Sequence, residues 1–289
     1  MFFVNYLNSI YPKKKPEDLG IVTRALGTYI DPYHPDGYRG NISGTDISDS
    51  KYPCIVPGND LTLYPSESPS GSLNLYTLPT KYYSDGGASI EAISPYYYFG
   101  EGSLTSVVLG HASIWIKPYS TIDKTTTLQV PLLFEYNPNN DGCLYLGLGS
   151  ATGLLTDEYI TIVDTGYETE GGGGPRTNRR TGVTTGGALT GNQWVNISIN
   201  WDLVNSRYNI FVNNVECSGY IASTGSYSGH VKQHTMPQVQ LGLGALFGDN
   251  GNGRNFFNGR ISAYTQYTDS LTIQEMTDNF NFFKARFGL

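Results

Sequence analysis

The chain has 289 residues and a formal charge of −7, with 35 glycines, 15 prolines and 23 tyrosines but only 15% charged residues. This acidic balance argues against a nucleic-acid-binding protein, because phosphate contacts require clustered lysine and arginine. Glycine is roughly twice as frequent as in an average protein, without a collagen period and beside 13% aromatic residues, so the composition excludes collagen-like and disordered chains.

Residues 1–25 predict an attachment arm. They lack the apolar core of a signal peptide, and no stretch of the chain reaches the ~18 apolar residues of a membrane-spanning helix, so we expect synthesis in the cytoplasm and no membrane insertion. Phe2, Phe3, Tyr6 and Leu7 precede a run of lysines. We interpret these four residues as anchors to a neighbouring protein; the alternative, that they pack on the sandwich of the same chain, stays open.

Residues 26–88 predict an irregular entry segment. Gly, Pro, Asp and Ser crowd the stretch from Gly27 to Pro53, and each of them favours turns. The segment is also rich in tyrosine. We therefore expect an ordered wrap around the domain that follows.

Residues 89–270 contain short runs that alternate between apolar and polar residues. In 111–118, for example, Ile114 and Ile116 share one face while Trp115 takes the other, and Asn213-Asn214 is suited to a tight hairpin because asparagine accepts a positive φ. Further runs lie at 127–136, 144–150, 193–201, 207–212, 238–244 and 256–267. A period of two at this spacing predicts an all-β, antiparallel two-sheet sandwich of the jelly-roll type.

Residues 271–289 predict a short helix and tail that cap the sandwich. Thr272 and Glu275 have the spacing of a capping box, and Leu271 and Met276 that of a hydrophobic staple. The expected apolar stripe is Ile273, Met276, Phe280 and Phe283. Lys284 and Arg286 stand where a helix C-terminus favours cations.

The cysteines predict neither disulfides nor a zinc site. Cys54, Cys143 and Cys217 are odd in number and far apart, which is typical of reduced thiols.

Three blocks, 111–118, 191–216 and 253–289, resemble strands and a closing helix of the concanavalin A-like lectin/glucanase superfamily in its laminin-G-like form. Upstream, Tyr-Ile-Asp at 29–31, Asp-Ile-Ser at 46–48 and Gly-Gly-Ala-Ser-Ile at 86–90 are similar to the entry segment of laminin-G-like proteins coded by tailed bacteriophages. The ending Lys-Ala-Arg-Phe-Gly-Leu at 284–289 is similar to the close of those proteins.

This resemblance, over residues 26–289, implies a structural protein of a virion, such as a capsid decoration protein, fibre or tail adhesin. It implies other virion proteins and copies of the same chain as partners, and host surface glycans as ligands. The chain departs from the family pattern in a glycine-rich insertion at 166–192 and in an entry segment without tryptophan.

The carboxylates predict no enzyme. Hydrolytic relatives in the superfamily use two carboxylates on one strand face, because an acid and a nucleophile must flank one bond. Asp157 and Glu158 are adjacent and would point to opposite faces, while Glu168 and Glu170 lie beside a run of glycines in a predicted loop. We therefore name no catalytic residue.

Two sets of residues are candidates for ligand contact. Tyr96, Tyr97 and Tyr98 combine flat apolar rings with hydroxyls, which suits sugar stacking and subunit interfaces equally well. Arg176, Arg179 and Arg180 are expected in a flexible loop, where they contact an anionic partner or are simply solvated.

Two loops are candidates for calcium, the commonest ion of the family. Asn139 and Asp141 lie in one loop and Asp249 and Asn252 in the other, and all four supply oxygen ligands. The same residues are common turn formers. No cofactor is required by the sequence.

The leading hypothesis is thus a non-enzymatic phage virion protein that displays a lectin-like sandwich and binds host glycans. A stand-alone carbohydrate-binding module and, last, a glycoside hydrolase are the alternatives.

Overall fold

The computed structural model describes residues 20–31, 51–52, 61–65, 90–92, 96–102, 109–123, 125–137, 142–149, 160–166, 177–183, 188–202, 207–217, 220–221, 239–244, 246–247, 253–254 and 257–289. The strands are β1 (Leu26–Ile30), β2 (Lys51–Tyr52), β3 (Leu61–Pro65), β4 (Ile90–Ala92), β5 (Tyr96–Gly102), β6 (Leu109–Pro118), β7 (Gln129–Asn137), β8 (Gly142–Leu148), β9 (Ile160–Gly166), β10 (Thr177–Val183), β11 (Val195–Asp202), β12 (Arg207–Val212), β13 (Val215–Glu216), β14 (Tyr220–Ile221), β15 (Val239–Leu243), β16 (Leu246–Phe247), β17 (Gly253–Arg254) and β18 (Gly259–Tyr267). Helix α1 (Ile273–Lys284) and a 3₁₀ turn (Ala285–Phe287) end the chain.

Two antiparallel sheets form the body of the fold. Among the described residues, sheet A has seven strands in the order β1-β18-β6-β11-β12-β13, with β4 also paired to β18. Sheet B has nine strands in the order β14-β10-β9-β8-β7-β15-β5-β3-β2. This confirms the predicted all-β, antiparallel two-sheet sandwich with a short C-terminal helix.

The inner faces of the two sheets meet in one apolar core. Sheet A contributes Ile30, Ile114, Ile116, Ile197, Ile199, Trp201, Ile210 and Ile261, and sheet B contributes Leu132, Leu146, Leu148, Ile160, Ile162 and Leu243. Each set alternates along its strands, because successive side chains of a strand take opposite faces. Burying apolar area at about 25 cal/mol per Å² makes this core the main source of stability.

The entry segment is less irregular than its composition predicts. Residues 26–30, 51–52 and 61–65 are strands, and β1 pairs with β18 so that Tyr29 lies opposite Thr265 and Ile30 opposite Tyr264. The sequence does not predict β1, because its neighbours are turn-forming residues and its partner strand lies more than 230 residues away in the sequence.

Two local features follow the sequence closely. Pro131 lies where the pairing of β7 with β8 shifts register, so its missing N–H interrupts no regular ladder. Asn213 and Asn214 have φ of 49° and 63° and join β12 to β13 in the expected hairpin.

Helix α1 packs on the outer face of sheet A. Thr272 and Glu275 form the predicted capping box, in which the Glu275 N–H donates to Thr272 Oγ1 at 3.2 Å and the Thr272 N–H donates to Glu275 Oε2 at 2.8 Å. Met276 and Phe283 are buried as predicted, and Leu271 packs in one cluster with Met276.

The predicted apolar stripe of α1 is wrong at Ile273. Ile273 is 60% exposed, whereas Asn279 is 4% exposed and joins the buried face. The Asn279 amide accepts a hydrogen bond from the Val22 N–H at 2.8 Å and donates to Tyr267 Oη at 2.9 Å. A polar side chain is stable at this buried position because both of its hydrogen-bonding groups have partners there. In the described part of the chain, no helix has the length and apolarity needed to cross a bilayer.

We expect Met276→Asp to lower the free energy of unfolding by about 3 kcal/mol or more, because it places an unpaired carboxylate in a buried site. Ile273→Asp, one turn away on the same helix, is the matched control and should leave stability nearly unchanged, since that side chain is 60% exposed. Urea unfolding measures both. Equal losses for the two variants would contradict the packing of α1 described above.

Candidate functional site

A buried ion pair joins the two ends of the described chain. Both carboxylate oxygens of Asp31 accept hydrogen bonds from Arg286 Nη1 at 2.9 Å, and Tyr29 Oη donates to Asp31 Oδ2 at 2.9 Å. The Asp31 and Arg286 side chains are 3% and 13% exposed. Burial, followed by the nearby carboxylate, raises the pKa of Tyr29 above its ordinary value, so the hydroxyl keeps its proton and remains a donor.

An aromatic stack surrounds this ion pair. The Phe287 ring stacks on Trp115 with centroids 4.3 Å apart and contacts Trp194 at 4.7 Å. Phe280 stacks on the Trp115 ring at 5.6 Å, and the Arg286 guanidinium lies 4.8 Å from the Phe287 centroid. We call Tyr29, Asp31, Trp115, Trp194, Arg286 and Phe287 the C-terminal cluster. Trp115, on the outer face as predicted, is 1% exposed because this cluster covers it.

Beside the C-terminal cluster, a layer of polar side chains lies buried under α1. Asn196 Nδ2 donates to Ser113 Oγ at 2.8 Å and Ser198 Oγ donates to Asn196 Oδ1 at 2.9 Å. His111 Nδ1 lies 2.8 Å from Asn200 Oδ1, and Asn200 Nδ2 donates to the Leu271 carbonyl at 3.0 Å. These bonds lie within β11, join β11 to β6, or link β11 to the residue before the helix, so the groups stay hydrogen-bonded although water is excluded.

Residues 20–25 hold the helix from its N-terminal side. Arg24 binds both carboxylate oxygens of Glu275, at 2.9 and 3.0 Å, and one of Asp269 at 2.7 Å. Its guanidinium lowers the pKa of Glu275 to about 2. Tyr267 Oη also donates to the Val22 carbonyl at 2.9 Å. The outer face of sheet A is therefore covered by α1 and by this segment.

The motifs that carried the family resemblance meet in this region. Tyr29 and Asp31 come from the entry block, Trp115 and Trp194 from two strand blocks, and Arg286 with Phe287 from the last block. The sequence patterns placed Arg286 only as a cation near a helix end and Asp31 only as a member of the Tyr-Ile-Asp motif, so their pairing was not predicted. The contacts show that these motifs hold the fold together.

The outer face of sheet B is defined by its register. Leu132, Leu146 and Leu243 are in the core, so residues one position along each strand lie on the opposite face. One cross-strand row on that face is Thr62, Phe99, Gly242, Leu133, Tyr145, Val163 and Arg180. The next row is Glu101, Gln240, Glu135, Cys143, Thr165 and Asn178. We call the face that carries these two rows the outer face of sheet B.

The three candidate tyrosines fall in β5 and divide between the two faces of sheet B. Tyr98 lies opposite Leu243, which is fully buried, and so takes the core face. Tyr97 takes the outer face and lies directly opposite Tyr64 of β3. Tyr64 was not predicted as a site residue, because cross-strand register is invisible in the sequence. Tyr96, two residues from Tyr98, shares the core face.

Arg179 and Arg180 lie in strand β10, which corrects the flexible loop predicted for them. They pair with Asp164 and Val163 of β9. Adjacent residues of a strand take opposite faces, so the two arginines form no common basic patch. The sequence of 177–183 has no apolar alternation, so only its pairing with β9 identifies it as a strand.

The remaining candidates lie outside the described residues: Phe2, Phe3, Tyr6, Leu7, Arg176, Asn139, Asp141, Asp249 and Asn252. Across the part of the chain that the structure does describe, no group of three or more His, Cys, Asp or Glu residues is arranged to hold a metal ion. Cys217 is a buried free thiol whose pKa burial raises to about 11.

No family model and no curated protein matches the chain. Among solved structures, it is similar to domain 4 of AbnA, a GH43 extracellular arabinanase from Geobacillus stearothermophilus in complex with arabinotriose, at 16% identity over 88% of this chain and 97% of that one, with a TM-score of 0.46.

It is also similar to the Ruminococcus gnavus IT-sialidase CBM40 bound to α2,3-sialyllactose, at 14% identity over 62% and 85% of the two chains, with a TM-score of 0.40. A third similar structure is Trypanosoma rangeli sialidase in complex with sialic acid, at 11% identity over 90% of this chain and 33% of that one, with a TM-score of 0.47. Likenesses this distant carry no argument about ligand or activity.

We expect Arg286→Met to lower the free energy of unfolding by about 3–5 kcal/mol, because it leaves the buried Asp31 carboxylate without its cation. Arg24→Met is the matched control. Its ion pairs are 46% exposed on the arginine side, so only a small fraction of that loss is expected. Chemical denaturation compares the two. A larger effect at Arg24 would contradict the importance of the C-terminal cluster.

His111 predicts a specific sensitivity to acid. Burial lowers its pKa to about 4 in the folded protein, against 6.5 when exposed, with opposing effects from the Asn200 hydrogen bond and Glu275. The unfolded state therefore binds more protons between these values, and stability falls as pH drops from 6.5 towards 4. The wild type should lose about 3 kcal/mol more than His111→Gln between pH 7 and pH 4. Parallel pH profiles of unfolding for the two proteins would refute this.

Proposed function

We propose that the chain is a non-enzymatic, glycan-binding sandwich displayed on the particle of a tailed bacteriophage, and that glycans meet the outer face of sheet B. Other virion proteins and copies of the same chain are its partners. The observation that carries the proposed glycan binding is that α1 and residues 20–25 cover the outer face of sheet A, which leaves sheet B as the candidate binding sheet.

In the described part of sheet A, both faces of the sheet are covered by other parts of the chain. Its inner face forms the core, and α1 with residues 20–25 covers its outer face. Side chains of both parities along β11 are buried, including Val195, Asn196 and Ile197. A strand buried on both faces serves packing, so recognition by a sheet face falls to sheet B.

The outer face of sheet B carries the residue types that bind sugars. Tyr97 lies opposite Tyr64 in one cross-strand pair, and Phe99 and Tyr145 lie in the row of Thr62 and Arg180. Tyr145, whose side chain is described, is buried with 9% exposure, so Tyr97 and Phe99 are the proposed contact residues of the row. Aromatic rings stack on the apolar faces of sugar rings, and tyrosine adds a hydroxyl for hydrogen bonding.

Five carboxylates whose side chains the structure describes are hydrogen-bonded within the fold, which supports a non-enzymatic role. Asp31 and Glu275 bind arginines, Asp123 accepts hydrogen bonds from Thr125, and Glu216 and Asp278 accept from Asn209 and Gln274. Each therefore fixes a local structure. A glycosidase needs two carboxyl groups free to flank one glycosidic bond.

The virion assignment rests on the sequence resemblance to laminin-G-like phage proteins. The entry block forms β1 and pairs with β18 of the closing block, so both blocks belong to the same sheet. The arm at 1–25, with Phe2, Phe3, Tyr6 and Leu7, is the proposed attachment to the particle. Calcium at the loop residues stays a separate proposal for which the chain supplies only oxygen ligands.

A stand-alone carbohydrate-binding module is the second candidate, favoured by the same aromatic face. The virion protein and the stand-alone module differ in location. Purification of intact particles and labelling with a specific antibody distinguish them, since only a virion protein is found on the particles. The glycan-binding face is common to both.

Tyr97→Ala should weaken binding of the best ligand on an oligosaccharide array by about tenfold or more, because a stacked ring is lost. Phe282→Ala is the matched control: this aromatic residue is 46% exposed but lies on α1, over the other sheet. Isothermal titration with the purified proteins gives the affinities. If the wild type binds no oligosaccharide, or if the control loses affinity equally, the proposed binding face is wrong.

A further inference from the structure

His111 is a titratable side chain buried on the outer face of sheet A, beside the start of α1. It is 1% exposed, and its ring centroid lies 5.7 Å from that of Tyr267 on the adjacent strand β18. Asn200 of β11 connects it to the helix, because Asn200 Oδ1 accepts from the Leu271 N–H at 3.4 Å and Asn200 Nδ2 donates to the Leu271 carbonyl at 3.0 Å. These two bonds fix the orientation of the amide, so its oxygen faces His111 Nδ1 at 2.8 Å.

This site stabilises the neutral form of His111. An amide oxygen only accepts, so Nδ1 carries the ring hydrogen and a second proton would add to Nε2. The resulting charge would be buried and would lie near the N-terminus of α1, where the helix dipole is positive. Burial accordingly lowers the pKa of His111 to about 4, although the Asn200 hydrogen bond and Glu275 act in the opposite direction.

Charged groups also lie around His111, before β1, at the end of β11, after β18 and on α1: Arg24, Asp202, Asp269 and Glu275. The Arg24 guanidinium binds Glu275 and lowers the pKa of that carboxyl to about 2, so Glu275 stays ionised at pH 5. Burial raises the pKa of Tyr267, which stays protonated. Of the three groups His111, Glu275 and Tyr267, the histidine is therefore the one that gains a proton between pH 7 and pH 5 once water reaches it.

The same region holds the cover of sheet A, by which we mean α1 together with residues 20–25. Tyr267, whose ring packs against His111, donates from Oη to the Val22 carbonyl at 2.9 Å and accepts from Asn279 Nδ2 at 2.9 Å. The Val22 N–H in turn donates to Asn279 Oδ1 at 2.8 Å. Strands β11 and β18 flank His111 within the sheet, so water reaches the ring when the cover opens.

We propose that His111 is an acid-sensitive latch, whose protonation opens the start of α1 and residues 20–25 while the sandwich stays folded. In the open state the imidazole is in water and binds a proton below about pH 6.5, so acid favours that state. The core residues lie on the other face of sheet A and need not separate for His111 to meet water. Residues 20–25 end the proposed attachment arm, so acid loosens the base of that arm. This inference goes beyond the proposed function and does not depend on glycan binding.

Hydrogen exchange of the full chain at pH 7 and pH 5, measured by mass spectrometry and corrected for intrinsic exchange rates, tests the latch. In the wild type, the open population of residues 20–25 and 271–279 should rise about twentyfold between the two pH values. This ratio follows from a histidine pKa of about 4 in the closed state and 6.5 in the open state. His111→Gln keeps a polar side chain beside Asn200 but binds no proton, and it should show no rise.

Arg24→Met is the matched control. It removes the ion pair between residues 20–25 and Glu275 without altering His111. The open population should therefore increase at both pH values, while its ratio between them stays about twentyfold.

A ratio near one in the wild type, or the wild-type ratio in His111→Gln, overturns the latch. Exchange of β6 and β11 that rises in step with the cover also overturns it, since the sandwich itself would then be opening. NMR titration of the His111 ring in the wild-type chain is a second test that needs no variant, and a pKa at or above 6.5 in the folded protein would contradict the proposal.

Discussion

The ion pair between Asp31 and Arg286 is the contact on which the arrangement of the molecule depends. It joins residues 255 positions apart and lies beside aromatic rings that exclude water. A buried carboxylate and a buried guanidinium are each costly alone, so strand β1 and the residues after α1 must both be in place for either charge to be stable. Closing the chain in this way positions α1 over sheet A.

Covering sheet A has consequences along the whole sandwich. Strands β6 and β11 carry apolar residues towards the core and a mixture of Trp115, serines, asparagines and His111 towards the helix. The polar members remain hydrogen-bonded to one another, which satisfies groups that would otherwise be buried without partners. Such a layer is less tolerant of change than an apolar one.

The same arrangement concentrates the motif residues on one side of the sandwich. The motifs by which the chain resembles other proteins are concentrated in the C-terminal cluster and in α1, where they stabilise the fold. The outer face of sheet B, which we propose as the glycan-binding surface, is assembled from different residues, including Tyr64 and Tyr97. The motifs that carry the resemblance and the proposed glycan-binding face therefore lie on different sheets of the sandwich.

The sequence by itself determined the elements whose signals are local. Alternation defined β6, β11 and β18, paired asparagines defined the β12–β13 hairpin, and the capping box defined the start of α1. Tertiary structure alone decided what depends on distant partners: β1 as a strand, Arg179 and Arg180 as members of a strand, and Asp31 as the partner of Arg286. It also decided which residues share a face of sheet B. Periodicity assigns a residue to one side of its own strand, but only the register between strands determines its neighbours.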